Sequence, residues 1–375
     1  MNETLIIFVD SLPYTLLPHT PFLNSLRDKW AIEPGFGYSV NIHAELFAGL
    51  LPDDVGFFGE WLYNPAQAPG RLLKPVLPLM DRVFRPYVLN RGVQHLLTLW
   101  YSRGHPMPNI PLRHLDKFAL NGFHILSPKF PFPTIFTQNP QIRVLNYRGN
   151  DMKKGERDPL LFERGMAAIP QSPALFVPLP DLDGYGHRYG VDGPAYLQHL
   201  ARVDGWCRQL SETFTAQYPT GHVFFLSDHG MANVSKGVYL DIEEKLGPAN
   251  AKRYLYFSDA NLLRVWVFDP TLMAPIRQYL ENYPHGNILS PEDRAEYGLT
   301  SPKFGDFIYV LHENLAFEPS TFARHIPKGM HGYHPTVPSQ QGIALHIGAP
   351  WPDTPPHRMK DVYHLLTTAV GGTWP

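Results

Sequence analysis

Leu5-Ile6-Ile7-Phe8-Val9-Asp10 is an unbroken apolar run closed by an acid. A half-exposed strand would alternate in polarity, whereas an unbroken run suits a strand buried on both faces of a parallel sheet. The pattern recurs twice. Residues 174–178 are apolar and lead into Asp181-Leu182-Asp183, and residues 222–226 lead into Ser227-Asp228-His229-Gly230. Helical patterns lie between, over residues 21–29, 45–51 and 194–218. Residues 262–268, 306–311 and 342–347 are further strand candidates, and 360–370 reads as a closing helix stopped by Gly371-Gly372. Strands alternating with helices predict the α/β class. The expected architecture is a three-layer sandwich, a mainly parallel central sheet with helices on both faces.

Composition narrows the function classes. With 375 residues, 44% of them apolar and 18% charged, the chain can build a large core and does not read as disordered. A formal charge of −2 argues against a general nucleic-acid binder, which carries a clear basic excess. The single cysteine, Cys207, rules out an intrachain disulfide and a cysteine-based zinc knuckle, and fits a reducing compartment. Met1-Asn2-Glu3-Thr4 runs straight into the first strand without a basic segment or cleavage site, so the expectation is a cytoplasmic protein without a signal peptide. No apolar run reaches the ~18–20 residues of a membrane span.

In open α/β sheets, ligands bind at the carboxyl ends of strands. Three predicted strands end in or near Asp10, Asp183 and Asp228, and histidines stand close by in Asp183-Gly-Tyr-Gly-His187, Asp228-His229 and Met330-His331-Gly332. Carboxylate with imidazole is the ligand set zinc prefers where cysteine is absent. Three acids and three histidines exceed the needs of one ion and suit two. Each piece also has a plain reading: a strand-end acid as a turn or helix cap, a loop histidine bonded to a carbonyl. The joint order, with acids falling where strands end, carries the functional reading.

That order resembles the alkaline phosphatase superfamily, closest to its nucleotide pyrophosphatase/phosphodiesterase branch. The matching stretches are the strand into Asp10, Ser39-Val-Asn-Ile-His43 with Gly49-Leu-Leu-Pro52 behind it, Asp183-x-x-Gly-His187, Ser227-Asp-His-Gly-Met231, Met330-His-Gly-Tyr333 and the closing Asp361-Val-Tyr-His-Leu-Leu helix. The resemblance implies an alkaline-phosphatase-like core and two divalent metal ions, zinc or alternatively manganese. Asp183, His187 and His331 would hold one ion. Asp10, Asp228 and His229 would hold the other, with the oxygen of the nucleophile, Ser39, as a further ligand. It also implies a small anionic phosphate-ester substrate, cleaved at a phosphodiester or pyrophosphate bond through a phosphoryl-serine intermediate. Phosphomonoesterase, phosphonate hydrolase and phosphoryl mutase chemistry share this logic and remain alternatives, as does a non-catalytic metal-binding protein. The plain reading of Ser39 is a loop serine capping the following helix.

Two features depart from the pattern. Glu60 stands where the diesterases usually carry an asparagine that donates to a phosphoryl oxygen; an ionised carboxylate only accepts. Asn64 is the nearby alternative donor, and Glu60, Asn64 and His43 are the candidate substrate or supporting residues. The second is the stretch 66–170, expected as a cap inserted into a core formed by 1–65 and 171–375. Residues 66–120 hold eight Lys/Arg against two acids, Asp81 and Asp116, among many prolines and aromatics. The plain reading is a solvated insertion with arginine stems lying on apolar surface. The mixture of Arg with Leu, Val, Phe, Tyr and Trp over 80–103 also fits a helix lying on a membrane surface, hence peripheral membrane contact by the cap.

Overall fold

The computed structural model describes residues 3–84, 89, 92–93, 96, 110, 112–121, 124–126, 130–146, 155–322, 325–348 and 354–371. The chain divides into two compact units. The first comprises residues 1–51, 123–235 and 327–375, and the second 52–122 and 236–326. Of the stretch expected as a cap, residues 66–122 thus fall in the second unit with 236–326, and 123–170 in the first.

The first unit is built on a six-stranded sheet. Its strands are β1 (Thr4–Val9), β2 (Asp28–Ile32), β3 (Arg143–Val144), β4 (Ala174–Leu179), β5 (His222–Leu226) and β6 (Gly342–Ile347). Their order is β2-β6-β5-β1-β4-β3. β1 pairs in parallel with β4 and β5, β3 in parallel with β4, and β6 runs antiparallel to both β5 and β2. The three unbroken runs are therefore the three central parallel strands, and every residue of each is buried.

Helices cover both faces: α1 (Ser39–Ala48), α2 (Arg157–Ala168), α3 (Asp181–Tyr189), α4 (Pro194–Gln217) and α5 (Met359–Gly371). On one face Leu5, Ile7, Val177 and Phe225 pack with Leu161 of α2 and Leu200, Val203 and Leu210 of α4. On the other, Phe8 and Phe176 meet Phe47 of α1 edge-on at ring distances of 5.6 Å. Side chains alternate across a strand, so an apolar run supplies both layers at once. The mainly parallel, helix-flanked sandwich expected from the sequence is thus found.

Local differences from expectation have physical causes. The helix expected over 21–29 is only Pro21–Ser25, because Asp28–Ile32 is taken as an edge strand by β6. The helix expected to begin at residue 45 begins at Ser39 and ends before Gly49, whose φ of 69° gives the left-handed cap. A Cβ there would also lie 2.7 Å from the Tyr363 ring.

The second unit contains a four-stranded antiparallel sheet in the order Tyr254–Ser258, Leu262–Val267, Phe307–Leu311, Gly286–Ile288. Two strands expected from the sequence, near 262 and 306, belong here and not to the parallel sheet. A separate cluster gathers Trp61, Leu77, Leu112, Phe118, Phe257 and Trp266. Among the described residues no helix is long and apolar enough to cross a membrane.

Candidate metal centre

β1 closes at Val9, and Asp10 follows at its carboxyl end. The next residue, Ser11, has a φ of 65°. That left-handed conformation costs a non-glycine residue about 1–3 kcal/mol. The turn sends the Ser11 N–H to Asp228 Oδ1 (3.2 Å) and the Leu12 N–H to Ser227 Oγ (2.8 Å), tying the end of β1 to the end of β5.

Asp228 is fully buried and well supplied with donors. Its Oδ1 also accepts the His229 N–H (3.1 Å), and its Oδ2 lies 2.9 Å from His43 Nε2. His43 is four residues after Ser39 on α1, so one helix presents both toward the end of β5. Its ring meets Phe8 edge-on at 5.3 Å, which holds its orientation.

His229 lies at the middle of the cluster. Its Nδ1 donates to Gly230 O at 2.9 Å, which leaves Nε2 as a lone pair. That Nε2 is 3.0 Å from Ser39 Oγ, 3.3 Å from Asp228 Oδ2 and 3.8 Å from Asp10 Oδ1. Ser39 is the first residue of α1, with Tyr38 in the capping position, so the structure does not use it as the helix cap. Its place at a helix N-terminus favours an anion or alkoxide there.

The third strand end delivers α3. Asp183 and His187 are four apart on this helix, and His187 Nε2 lies 3.2 Å from Asp183 Oδ1. His187 Nδ1 is bound to Gly329 O at 2.9 Å, again leaving Nε2 toward the carboxylate. His331 brings its Nε2 to 3.6 Å from the same oxygen and stacks on His229 with ring centres 3.7 Å apart. Gln340 Oε1 accepts the N–H groups of Gly332 and Tyr333 and so braces the loop that carries His331.

Asp10, Asp228 and His229 offer ligand atoms within 4.8 Å of one another, and so do Asp183, His229 and His331. The first trio coincides with one expected ligand set. In the second, His229 occupies the place expected for His187, which stands beside Asp183 with its ring 5.3 Å from that of His331. The seven expected ligand residues all belong to the first unit, as does His43; Glu60 and Asn64 belong to the second. There Asn64 accepts the Gln67 N–H, and Glu60 is exposed. Burial pushes the Asp259 carboxyl up to about 6 against the pull of Arg264, with Glu60 adding to the rise.

The charges within the cluster are unbalanced. Burial, reinforced by Asp228 and Asp183, pushes the Asp10 carboxyl well above its ordinary range. Burial works the same way on Asp183, but neighbouring His187 outweighs it and holds that carboxyl well below the usual value. Burial and neighbouring His229 press His331 toward the neutral form. Asp10 Oδ1 and Asp183 Oδ1 are buried and accept no hydrogen bond. Orphaned carboxylate oxygens facing imidazole lone pairs fit divalent cations, which would neutralise them and complete their coordination.

Sequence reading missed the Ser11 turn, the Gln340 brace and the pairing of His43 with Asp228. Ser11 left a faint signal as a small polar residue after a strand-end acid; Gln340 left none.

The family model for type I phosphodiesterase / nucleotide pyrophosphatase matches residues 163–334, a span that holds Asp183, His187, Asp228, His229 and His331. Among solved structures, murine ectonucleotide pyrophosphatase/phosphodiesterase 5, in an inactive form in complex with AMP, aligns with a TM-score of 0.66 at 16% identity, covering 99% of this chain and 95% of that one. The human protein of the same name aligns with a TM-score of 0.65 at 16% identity over 98% of this chain and 95% of that one. These likenesses show the fold. No curated protein sequence matches the chain.

Proposed function

We infer that this chain belongs to the alkaline phosphatase superfamily, closest to its nucleotide pyrophosphatase/phosphodiesterase branch, and hydrolyses phosphate esters; the family model over residues 163–334 and the shared fold support this reading. It is a metal-dependent phosphodiesterase or pyrophosphatase with Ser39 as nucleophile. The observation that carries this reading is Ser39 Oγ, at a helix N-terminus, at 3.0 Å from the Nε2 of His229, a residue grouped with Asp10 and Asp228.

Asp10, Asp228 and His229 would hold one divalent ion, and Asp183 and His331 with His187 the other; mixed oxygen and nitrogen ligands suit zinc, with manganese the alternative. Bound ions supply charge neutralisation of the phosphoryl oxygens, stabilisation of the serine alkoxide and activation of water. Ser39 Oγ attacks phosphorus; the Oγ–P bond forms as the bond to the leaving group breaks. Water then cleaves Oγ–P, which returns the serine and releases the phosphate product. The α1 N-terminus favours negative charge at Ser39 throughout, and His43 keeps Asp228 oriented.

Because the related murine protein was solved with AMP, a nucleotide phosphodiester is the first natural substrate class to assay. The direct test compares bis-(p-nitrophenyl) phosphate with p-nitrophenyl phosphate for wild type and Ser39→Ala, with and without EDTA. The expected result is diester preference, loss of activity with EDTA, and at least a roughly 10³-fold loss for Ser39→Ala with metal content unchanged. Full activity in Ser39→Ala would remove the nucleophile assignment, and preference for the monoester would transfer the protein to the phosphatase class.

A further inference from the structure

The turn Pro69–Leu73 and helix Leu77–Val83 of the second unit have an unusual distribution of apolar side chains. One side packs inward: Leu77, with Leu73, Met80 and Phe84, joins the cluster around Trp61, Leu112 and Phe118. The opposite side does not turn polar. Leu72 is 74% exposed, Val76 44%, Leu79 63% and Val83 53%, at successive spacings of four, three and four. Leu89 and Leu96 are exposed as well. Thus six of the ten large hydrophobic side chains exposed among the described residues fall between 72 and 96. A helix on a globular surface normally keeps its outer face polar; one apolar on both faces has both covered in the working protein.

The charge around this face indicates the cover. Arg71, Lys74 and Arg82 are exposed on the same segment. Asp81 is the only acid between 69 and 84, and its Oδ2 is bound by Arg113 at 3.0 Å. The sequence continues with Arg85, Arg91 and Arg103, so the expected surface helix over 80–103 lies largely outside the described residues.

We propose that the face formed by Leu72, Val76, Leu79 and Val83 docks on an anionic membrane surface. The apolar side chains enter the boundary between headgroups and acyl chains, and Arg71, Lys74 and Arg82 engage the anionic headgroups. A second copy of the chain is a poorer occupant, because a symmetric contact brings the basic rim against its own copy. The proposal does not depend on the metal centre.

Flotation of the full chain tests it, with vesicles of phosphatidylcholine alone or mixed with phosphatidylserine, at low and high salt. The expected result is flotation with the anionic vesicles, at least fivefold weaker at high salt. Leu79→Glu/Val83→Glu should abolish it, and Arg71→Glu/Lys74→Glu should weaken it, both with unchanged Tm and unchanged hydrolysis of a soluble chromogenic ester. Absence of flotation with anionic vesicles at low salt overturns the proposal, as does equal flotation with both vesicle types. Self-association in light scattering that Leu79→Glu/Val83→Glu abolishes, without vesicle binding, assigns the face to a second copy instead.

Discussion

Asp10→Asn should stabilise the metal-free protein while weakening its response to metal. Asp10 and Asp228 offer carboxylate oxygens within 4.8 Å of each other, and at an effective dielectric of ~20 two unit charges at that distance repel by about 3 kcal/mol. Whether the carboxyl endures the repulsion or takes up a proton to escape it, the folded state loses free energy that a neutral amide of the same shape does not. A gain of about 3 kcal/mol in a chain of 375 residues corresponds to a Tm rise of about 4 °C. Metal reverses the order. At ~1,000 times its Kd, a bound ion stabilises the wild type by about 4 kcal/mol, most of which the variant forgoes. The assay is thermal unfolding at pH 8 in EDTA, repeated after dialysis against zinc or manganese. A variant less stable than wild type in EDTA, or one stabilised equally by metal, would refute the reasoning.

Three further outcomes follow from single residues. Gly230→Ala should destabilise the protein by ~1–3 kcal/mol and reduce metal content, because the new Cβ would lie 2.0 Å from Ser339 O, a backbone atom, beside His229; unfolding curves and metal analysis check it. Glu45 is raised by burial to about 7 despite Arg358, so the folded state holds a proton that the unfolded chain has released. The stability drawn from this group therefore falls as pH rises from its ordinary 4.5 to about 7, and Glu45→Gln should flatten that decline in Tm; an unchanged pH profile would count against it. Asp181 accepts the N–H groups of Gly155, Arg157 and Asp158 and the Arg157 side chain, so Asp181→Asn should cost ~3–5 kcal/mol by uncovering a buried cation, measured by denaturant unfolding.

His43 shows where sequence reading stopped. The resemblance placed it among the supporting residues, but the 2.9 Å approach to Asp228 is a contact across 185 residues with no local signature. The strands near 262 and 306 were legible as strands, while their membership of a separate antiparallel sheet was not, since partner choice depends on register and connection. Composition suggested a surface helix over 80–103; the exposed apolar face at 72–83 required coordinates.

By itself the sequence determined the layer architecture and the rim at which the ligand-type residues gather. Unbroken apolar runs can be buried only between two helical layers, and the acids closing them emerge at one edge of the sheet. Only the tertiary structure decided how those residues share the pocket. His229 came to stand between both groups, and His187 beside Asp183, because ring orientation is set by Gly230 O and Gly329 O. Such distances depend on how separate segments pack, and no spacing along the chain encodes them.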